Sequence, residues 1–413
     1  MQTSITADLL NTDSGKRADE ILRKCVHCGF CTATCPTYQL LGDELDGPRG
    51  RIYQIKSVLE GQPADREILT HLDRCLTCRS CETTCPSGVD YAELIDIGRL
   101  HIEQKNIRPF GQKLVRNLLG ELLPYRNRNA LLFKLGSFFR PLLPASLKQK
   151  APLIRPAQEY KQLDTTPQKT VLLLEGCVQS TLSPNTNSAA NTVLQALGYK
   201  VICEPVVSCC GAVNQHLNQV EKAEQWVLKN LSSWKQLNEN KQLDAIVSTA
   251  TGCGVMLKDY SKILKNISHN TEHYQPIIEK IKDISELFSA DTLRNNLKSF
   301  EQGKQQVSYH APCTLTHGHK LSEHLYAQLS ALGYQLNIPQ NAHLCCGSAG
   351  TYSLLQPTLS KQLRDNKLEA LQQCSPEVII TANVGCEHHL NSAGDSPVLH
   401  WVELIANDIE SSC

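Results

Sequence analysis

The chain has 413 residues, with 41 basic and 41 acidic side chains and a formal net charge of zero. A neutral chain does not predict a nucleic-acid partner, because phosphate backbones are bound by basic surfaces. The chain contains no run of 18 uncharged apolar residues, so no membrane span is predicted. Residues 1–20 lack the apolar core of a secretory signal. The outlier is cysteine, which occurs 19 times. We therefore expect a reducing, cytoplasmic location, where many cysteines indicate metal ligands before disulfides.

Two cysteine runs dominate the first hundred residues. Residues 25–36 read CVHCGFCTATCP, and residues 75–86 read CLTCRSCETTCP. Both follow the spacing C-x2-C-x2-C-x3-C-P of bacterial two-cluster ferredoxins, in which the fourth cysteine of a run binds the other cluster. This spacing predicts two [4Fe–4S] clusters rather than zinc sites or redox thiols. The predicted ligands are Cys25, Cys28, Cys31 and Cys85 for the first cluster, and Cys35, Cys75, Cys78 and Cys81 for the second.

The segment between the two runs indicates helices instead of the short hairpins of a compact ferredoxin. Apolar residues recur at helical spacing in residues 47–61 and 65–75, and residues 14–25 show the same pattern before the first run. The prediction is an all-α ferredoxin domain over residues 1–104.

Charged and histidine side chains beside the cysteine runs have two interpretations. In the functional interpretation, Arg49, Arg51 and Arg74 shift a cluster potential or dock a partner. In the other interpretation, they are solvated charges on helices. His27 and His71 either hydrogen-bond to cluster ligands or are partly exposed polar residues. The same two interpretations apply to the histidines around Cys313, which are His310, His317 and His319.

Residues 105–150 are basic and apolar, with Glu121 as their only acidic residue. Such a segment predicts either a helix that lies on an anionic membrane surface or a linker helix packed on its own protein or on a partner. Residues 151–168 have the composition of a linker. We therefore predict a basic amphipathic segment and linker over residues 105–168.

The second half of the chain contains two similar copies. Each copy has a strand that ends in cysteine, a helix that stops at glycine before a strand, a Cys-Cys-Gly pair, and a strand followed by cysteine. The first cysteine and the pair are 32 residues apart in both copies. Alternating strands and helices predict small parallel sheets. The prediction is a duplicated α/β domain, with the first copy over residues 169–300 and the second copy over residues 301–413.

The two copies supply a second group of candidate ligands. Ligands bind at the carboxyl ends of parallel strands, so we expect each copy to bring its cysteines to one rim. The adjacent pair then directs two thiols at neighbouring irons, and the glycine lets the backbone approach the cluster. Cys203, Cys374 and Cys413 fit neither motif and are interpreted as ordinary thiols. The candidate ligands are Cys177, Cys209, Cys210 and Cys253 in the first copy, and Cys313, Cys345, Cys346 and Cys386 in the second.

Over its whole length the chain resembles the iron–sulfur subunits of glycolate oxidase, anaerobic glycerol-3-phosphate dehydrogenase and heterodisulfide reductase. It is most similar to the glycolate oxidase branch. The stretches that carry the resemblance are CVHCGFCTATCPTYQLLGDELDGPRGRIY, HLDRCLTCRSCETTCPSGV, LEGCVQSTLSPNTN, CCGAVNQHLN and HLCCGSAGTY.

One departure from these relatives affects the cysteine-rich half. The fullest form of the CCG motif ends in C-x2-C, whereas here Met256 follows Cys253 and His389 follows Cys386. The five-cysteine cluster of the heterodisulfide branch is therefore not carried over. The second copy offers His389 or the neighbouring His388 as a substitute ligand. A cluster of another kind and a metal-free docking or thiol role both stay open.

The resemblance implies an electron-transfer role. The chain has no dinucleotide, Walker or nucleophile-elbow motif, so we expect no site of its own for substrate oxidation. The resemblance implies an FAD-containing partner subunit that oxidises glycolate to glyoxylate, while this chain passes electrons to a quinone from a peripheral position on the inner face of the cytoplasmic membrane. The alternatives are a sister dehydrogenase for glycerol 3-phosphate or lactate, a CCG-type disulfide reductase, and a membrane anchor.

Overall fold

The computed structural model describes residues 1–142, 154–161, 163, 167–203, 209–267, 272–297, 301 and 305–412. Cys413 and the last basic residues of the 105–150 segment lie outside the described residues. The chain forms two compact units. The ferredoxin unit consists of Met1–Leu118, His216–Asn218 and His343–Lys367, and the sheet unit consists of Leu119–Gln215, Gln219–Ala342 and Leu368–Cys413.

The N-terminal part is helical, which confirms the predicted all-α ferredoxin fold. Helices α4 and α5 occupy the two segments between the cysteine runs in which apolar periodicity predicted helices. The helices are α1 (Ala7–Leu10), α2 (Asp13–Lys24), α3 (Pro36–Leu41), α4 (Pro48–Leu59), α5 (Arg66–Asp73), α6 (Ser80–Thr84) and α7 (Tyr91–Gln104), with 3₁₀ turns at Phe30–Thr32 and Glu44–Asp46.

An aliphatic core holds α2, α4, α5 and α7 together. Helices α4 and α7 approach closely at Gly98, where an added Cβ would lie 2.6 Å from Cγ1 of Ile55. Cys25 is the residue after α2, and its N–H donates to the carbonyl of Leu22 at 3.1 Å. Core packing of these helices therefore fixes where the cysteine loops begin.

Two four-stranded parallel sheets form the second half and have the same strand order. The orders are β2-β1-β3-β4 and β6-β5-β7-β8. The strands are β1 (Lys169–Leu174), β2 (Tyr199–Ile202), β3 (Ala245–Ser248), β4 (Ile281–Asp283), β5 (Val307–Tyr309), β6 (Leu336–Asn337), β7 (Val378–Thr381) and β8 (Val398–His400). Val171 pairs with Ala245, and Val307 pairs with Val378 in the equivalent register. The predicted duplication of an α/β domain is confirmed.

The two sheets share one apolar core. Val171 of β1, Val307 of β5 and Val378 of β7 are all buried in it. Helix Pro184–Ala196 of the first copy packs on helix Trp401–Ser412 of the second. Each sheet therefore covers part of the other, and the two copies stabilise each other.

The remaining helices connect or cover the strands. Helices α8 (Phe110–Leu122) and α9 (Arg126–Phe139) precede β1. The others are Gln179–Leu182, Pro184–Ala196, Ala212–His216, Val220–Lys241, Thr251–Lys258, Tyr260–Ile267, Gln275–Ile278, Ile284–Leu287, Ala290–Asn296, Ser322–Leu332, Tyr352–Leu355, Pro357–Gln372, Val384–Asn391 and Trp401–Ser412, with 3₁₀ turns at Arg140–Leu142 and Glu272–Tyr274 and a π-helix at Thr314–His319. Within the part of the chain that the structure describes, no helix combines the length and apolar character needed to cross a membrane.

Candidate metal centres

Each cysteine run folds into a loop with two left-handed residues. His27 and Gly29 have φ values of 55° and 85°, and Thr77 and Arg79, at the equivalent positions of the second run, have 54° and 62°. A left-handed conformation costs a non-glycine residue roughly 1–3 kcal/mol, and a β-branched threonine is especially unusual there. The two runs therefore share a strained loop that their surroundings must stabilise.

The first cavity has a volume of about 450 Å³. Its walls include the apolar side chains of Ile52 and Val89. Cys28 is exposed, as are its neighbours Val26 and Phe30, so this cavity lies near the surface of the ferredoxin unit. The cysteines that line the first cavity are Cys25, Cys28, Cys31, Cys81 and Cys85.

The second cavity has a volume of about 310 Å³. Pro48, Cys81 and Tyr91 line both cavities, so the two sites adjoin. The structure thus brings three thiols of each run together with the last thiol of the other run. The cysteines that line the second cavity are Cys35, Cys75, Cys78 and Cys81.

Burial disfavours thiolates at both cavities unless a cation is bound. Burial, followed by the neighbouring thiols, raises the pKa of Cys31 to about 11. The same two causes raise the pKa of Cys81 well above its ordinary value. Ferric and ferrous irons supply the compensating positive charge, and soft thiolates in a largely apolar cavity are the donors that iron–sulfur clusters use. The residues present therefore fit a cluster at each cavity.

The second cavity lies against a buried ion network centred on Asp46. The Asp46 carboxylate is fully buried and lies 3.3 Å from Nη2 of Arg51, 2.7 Å from Nη1 of Arg74 and 3.1 Å from Nδ1 of His71. Arg51 is only 1% exposed and lines the cavity itself. Arg51 is thus not a solvated helix charge, and the second cavity has a fixed positive charge beside it.

Several protein donors lie close to the sulfurs of the second cavity. The hydroxyl of Tyr91 donates to Sγ of Cys75 at 3.7 Å, and the N–H of Thr77 donates to the same sulfur at 3.4 Å. The Thr37 hydroxyl donates to the carbonyl oxygen of Asp46 at 2.8 Å and lies 3.3 Å from Sγ of Cys35. Hydrogen bonds to cluster sulfurs raise the reduction potential, because they stabilise the additional electron. Sequence reasoning missed these residues, since no motif marks them.

The four cysteines of the first copy meet at the carboxyl edge of the first sheet. Cys177 follows β1, and Cys253 lies in helix Thr251–Lys258 after β3. Thiol–thiol hydrogen bonds join Cys209 to Cys177 and to Cys210, and join Cys253 to Cys210. These bonds are the largest cause of a strongly raised pKa at Cys209 and Cys253, and burial adds to it. The four thiols form one continuous set, which can ligate a metal cluster.

Three buried polar side chains hold the backbone of this thiol set. They come from three different helices, so tertiary structure rather than local sequence positions the cysteines. All three donate to cysteine carbonyls. The bonds run from Asn129 Nδ2 to Cys177 (3.0 Å), from Asn230 Nδ2 to Cys209 (2.9 Å) and from the Tyr260 hydroxyl to Cys210 (2.9 Å).

The glycine after each cysteine pair has a role that the sequence did not predict. Gly211 and Gly347 are left-handed, with φ values of 91° and 84°. In this turn the N–H of Gly211 donates to Sγ of Cys209 at 3.3 Å, and the N–H of Gly347 donates to Sγ of Cys345 at 3.4 Å. A Cβ at Gly347 would lie 2.5 Å from the carbonyl oxygen of Ser360. The backbone angle therefore requires glycine at both positions, and space requires it at Gly347 as well. The amide of each glycine binds the first sulfur of its pair.

The second copy divides its cysteines between the two units. Cys345 and Cys346 belong to the ferredoxin unit, whereas Cys313 and Cys386 belong to the sheet unit. The Asn383 side-chain amide donates to Sγ of Cys386 at 3.6 Å. Each unit by itself thus contains two of these four candidate ligands.

Most histidines near the candidate cysteines are buried and contact other buried groups. They are therefore not partly exposed polar residues. His310 Nδ1 lies 2.9 Å from Oγ1 of Thr381, and His319 Nε2 lies 3.1 Å from the carbonyl oxygen of Thr251. His27 is half-buried. The buried histidines are His71, His310, His317 and His319.

At the departures from C-x2-C, Met256 and His388 do not supply evident ligands. Met256 is buried in the apolar core beside the first sheet. His388 Nε2 lies 2.9 Å from Oγ of Ser183 and 3.1 Å from the carbonyl oxygen of Leu182. Burial lowers the pKa of His388 to about 4. This nitrogen is engaged by protein groups, which argues against His388 as a substitute ligand.

Comparison with known proteins places these sites in a family. The 4Fe-4S dicluster domain matches residues 21–89, and the cysteine-rich domain CCG matches residues 171–258 and 307–391. The glycolate oxidase iron-sulfur subunit of Escherichia coli K12 is 46% identical over 413 residues, which cover 99% of this chain and 100% of that relative. The chain belongs to the glycolate oxidase iron–sulfur subunit family.

More distant relatives include another glycolate oxidase protein and a heterodisulfide reductase protein. The probable glycolate oxidase iron-sulfur subunit of Bacillus subtilis 168 is 29% identical, and the match covers 94% of this chain and 92% of that relative. A dihydromethanophenazine:CoB–CoM heterodisulfide reductase polypeptide of Methanosarcina acetivorans is 24% identical, and the match covers 91% of this chain and 90% of that relative. The resemblance predicted from the quoted stretches is confirmed, including the greater similarity to glycolate oxidase iron–sulfur subunits.

Proposed function

We propose that the chain is the electron-transferring subunit of a glycolate oxidase complex. A hydroxy acid releases two electrons together to FAD on a partner subunit, and iron–sulfur clusters carry them singly to a quinone. The observation that carries the proposal is the pair of adjoining cysteine-lined cavities, which share Cys81 and Tyr91. In this account the chain's own residues ligate, insulate and electrostatically tune the carriers, and substrate is oxidised on the partner.

The proposed ligand sets follow the two cavities. Side chains such as Ile52 and Val89 give the first cavity apolar walls, and Arg51 offsets negative charge at the second. The first set is Cys25, Cys28, Cys31 and Cys85, and the second is Cys35, Cys75, Cys78 and Cys81.

Reduction by substrate tests this function. The complex with its flavin subunit is purified without oxygen, glycolate is added without quinone, and EPR spectra are recorded at low temperature. Reduced-cluster signals are expected, and added quinone is expected to remove them. Glycerol 3-phosphate and lactate are the comparison substrates, and a response to one of these alone would assign the chain to a sister dehydrogenase. No cluster reduction by any of the three substrates would contradict the electron-transfer role.

We also propose a third cluster at the thiol set of the first copy. Four thiolates are sufficient ligands for a cubane cluster, and Cys177, Cys209, Cys210 and Cys253 form a continuous set. The raised pKa values of Cys209 and Cys253 keep these thiols protonated and weakly nucleophilic at neutral pH without metal. This property disfavours a thiol–disulfide reductase, which is the second candidate function.

The variant Cys210→Ser tests the third cluster. Its iron content is expected to fall by about four per chain, because one ligand of the proposed cubane is lost. Cys374→Ser is the matched control, since Cys374 contacts the Ser308 hydroxyl at 3.3 Å and belongs to none of the cysteine sets. Iron and acid-labile sulfide are measured on anaerobically purified protein. Equal iron in both variants, together with disulfide-reductase activity, would favour the second candidate.

We propose that α9 contacts the inner face of the cytoplasmic membrane. Its exposed apolar side chains recur at spacings of three, four and seven residues and form one face. Lys134 is exposed beside this face, and anionic headgroups attract such a charge. An apolar face of this kind is unfavourable in water and is covered when the helix lies in the membrane interface. The apolar residues are Leu131, Leu132, Leu135, Phe138 and Phe139.

Vesicle binding tests the membrane contact. Phe138→Glu is expected to weaken binding to phosphatidylglycerol-containing vesicles at least about tenfold, because burying a phenylalanine contributes roughly 1.5–3 kcal/mol. Phe138 is 76% exposed, so the substitution leaves the core intact. Ile338→Glu is the control, since Ile338 is an exposed apolar residue outside α9. Equal sedimentation of both variants with vesicles would contradict the proposal.

A further inference from the structure

Tyr352 of the ferredoxin unit has a buried hydroxyl without a partner. The side chain lies in the segment His343–Lys367 and is 6% exposed. Among the described residues, no group accepts or donates a hydrogen bond at its oxygen. Leaving a buried hydroxyl unpaired is unfavourable, so an acceptor outside the polypeptide is expected.

The surroundings of Tyr352 identify where that acceptor lies. Burial is the main cause that raises the pKa of Tyr352, so the hydroxyl stays protonated and can donate. Arg51, Cys75, Cys345 and Asp46 are close enough to act electrostatically on the same oxygen. Arg51 and Cys75 both line the second cavity. The Tyr352 side chain therefore lies in the neighbourhood of residues that line the second cavity.

The protein acceptors near this position already have donors. Cys75 Sγ accepts from the Tyr91 hydroxyl and from the N–H of Thr77, and Cys345 Sγ accepts from the N–H of Gly347. The Asp46 carboxylate is held by Arg51 and Arg74. Sulfur atoms of a cluster in the second cavity would be additional acceptors.

We propose that Tyr352 donates a hydrogen bond to a sulfur of the cluster at the second cavity and thereby raises its reduction potential. The proposal rests on the cluster assignment made above. In this proposal Tyr352 contacts the second cluster directly and connects it to the segment that carries Cys345.

The test is Tyr352→Phe in the complete, cluster-loaded chain. In a redox titration followed by EPR, the equilibrium constant for reducing the second cluster is expected to fall about fivefold, the effect of one ordinary hydrogen bond. At 59 mV per tenfold, this change is a shift of roughly 40 mV to more negative potential. ENDOR spectra recorded before and after exchange into D₂O identify the exchangeable-proton couplings. The variant is expected to lack one coupling that the native chain has. Repeating the titration in a Cys28→Ser background isolates the signal of the second cluster.

Tyr309→Phe is the matched control, because the Tyr309 hydroxyl is also buried but donates to the carbonyl oxygen of Ser322 at 3.0 Å. This variant is expected to leave both potentials unchanged. Unchanged potentials and proton couplings in Tyr352→Phe would overturn the proposal, as would a shift confined to the first cluster. Iron is measured on the same samples: a native chain without iron would instead refute the cluster assignment itself.

Discussion

Cys28→Ser is expected to abolish glycolate-dependent quinone reduction while flavin reduction by glycolate continues. Loss of an outer hydrogen bond to a metal ligand already costs 10–100-fold, so loss of a ligand is expected to lower quinone reduction at least about 100-fold. Cys28 is exposed, so its replacement disturbs the fold little. Stopped-flow absorbance of the complex follows flavin bleaching and quinone reduction separately.

The control for this variant is Cys203→Ser, which also replaces an exposed thiol with a hydroxyl. Cys203 belongs to neither cysteine motif, and its variant is expected to keep the native rate. Quinone reduction at the native rate in Cys28→Ser would show that electrons bypass the first cavity. Loss of flavin reduction as well would show that the substitution damages the complex rather than the electron path.

Arg51→Gln is expected to destabilise the protein by about 3–5 kcal/mol, because it removes the buried guanidinium that is paired with the fully buried carboxylate of Asp46. Burial opposes the charge on Arg51, but nearby thiols and Asp46 raise its pKa above the ordinary value. The same substitution is expected to shift the second cluster to more negative potential. Anaerobic denaturant titration measures the free energy of unfolding, and EPR-monitored titration measures the potential.

Two further variants separate charge from packing. Arg49→Gln removes a half-exposed partner of Glu44, so its cost is expected to be at most about 1 kcal/mol. Asp46→Asn combined with Arg51→Gln removes both buried charges and is expected to recover part of the lost stability. If Arg51→Gln costs no more than Arg49→Gln, the buried ion network does not support the second cavity.

The sequence predicted those features that follow from local spacing. Cysteine intervals indicated the two ferredoxin runs, and apolar periodicity indicated α4 and α5. The repeated landmarks predicted two sheets whose Val171 and Val307 occupy equivalent registers. Each of these signals is confined to a short stretch of chain, so a single sequence suffices to detect it.

Features that depend on tertiary contacts were not predictable. Asn129 and Asn230 reach cysteine carbonyls from distant helices, and nothing near them in sequence marks that role. Arg51 was equally compatible with a solvated helix position until the structure placed it against Asp46. The turn that makes Gly211 bind the Cys209 sulfur depends on backbone angles, which the Cys-Cys-Gly letters alone do not specify.

Iron and acid-labile sulfide, measured with low-temperature EPR on the anaerobically purified chain, test the central claim most directly. The account predicts at least about eight irons per chain and EPR signals of two interacting reduced clusters, because the adjoining cavities each hold a [4Fe–4S] cluster. Zinc in place of iron, or fewer than about four irons without such signals, would contradict it.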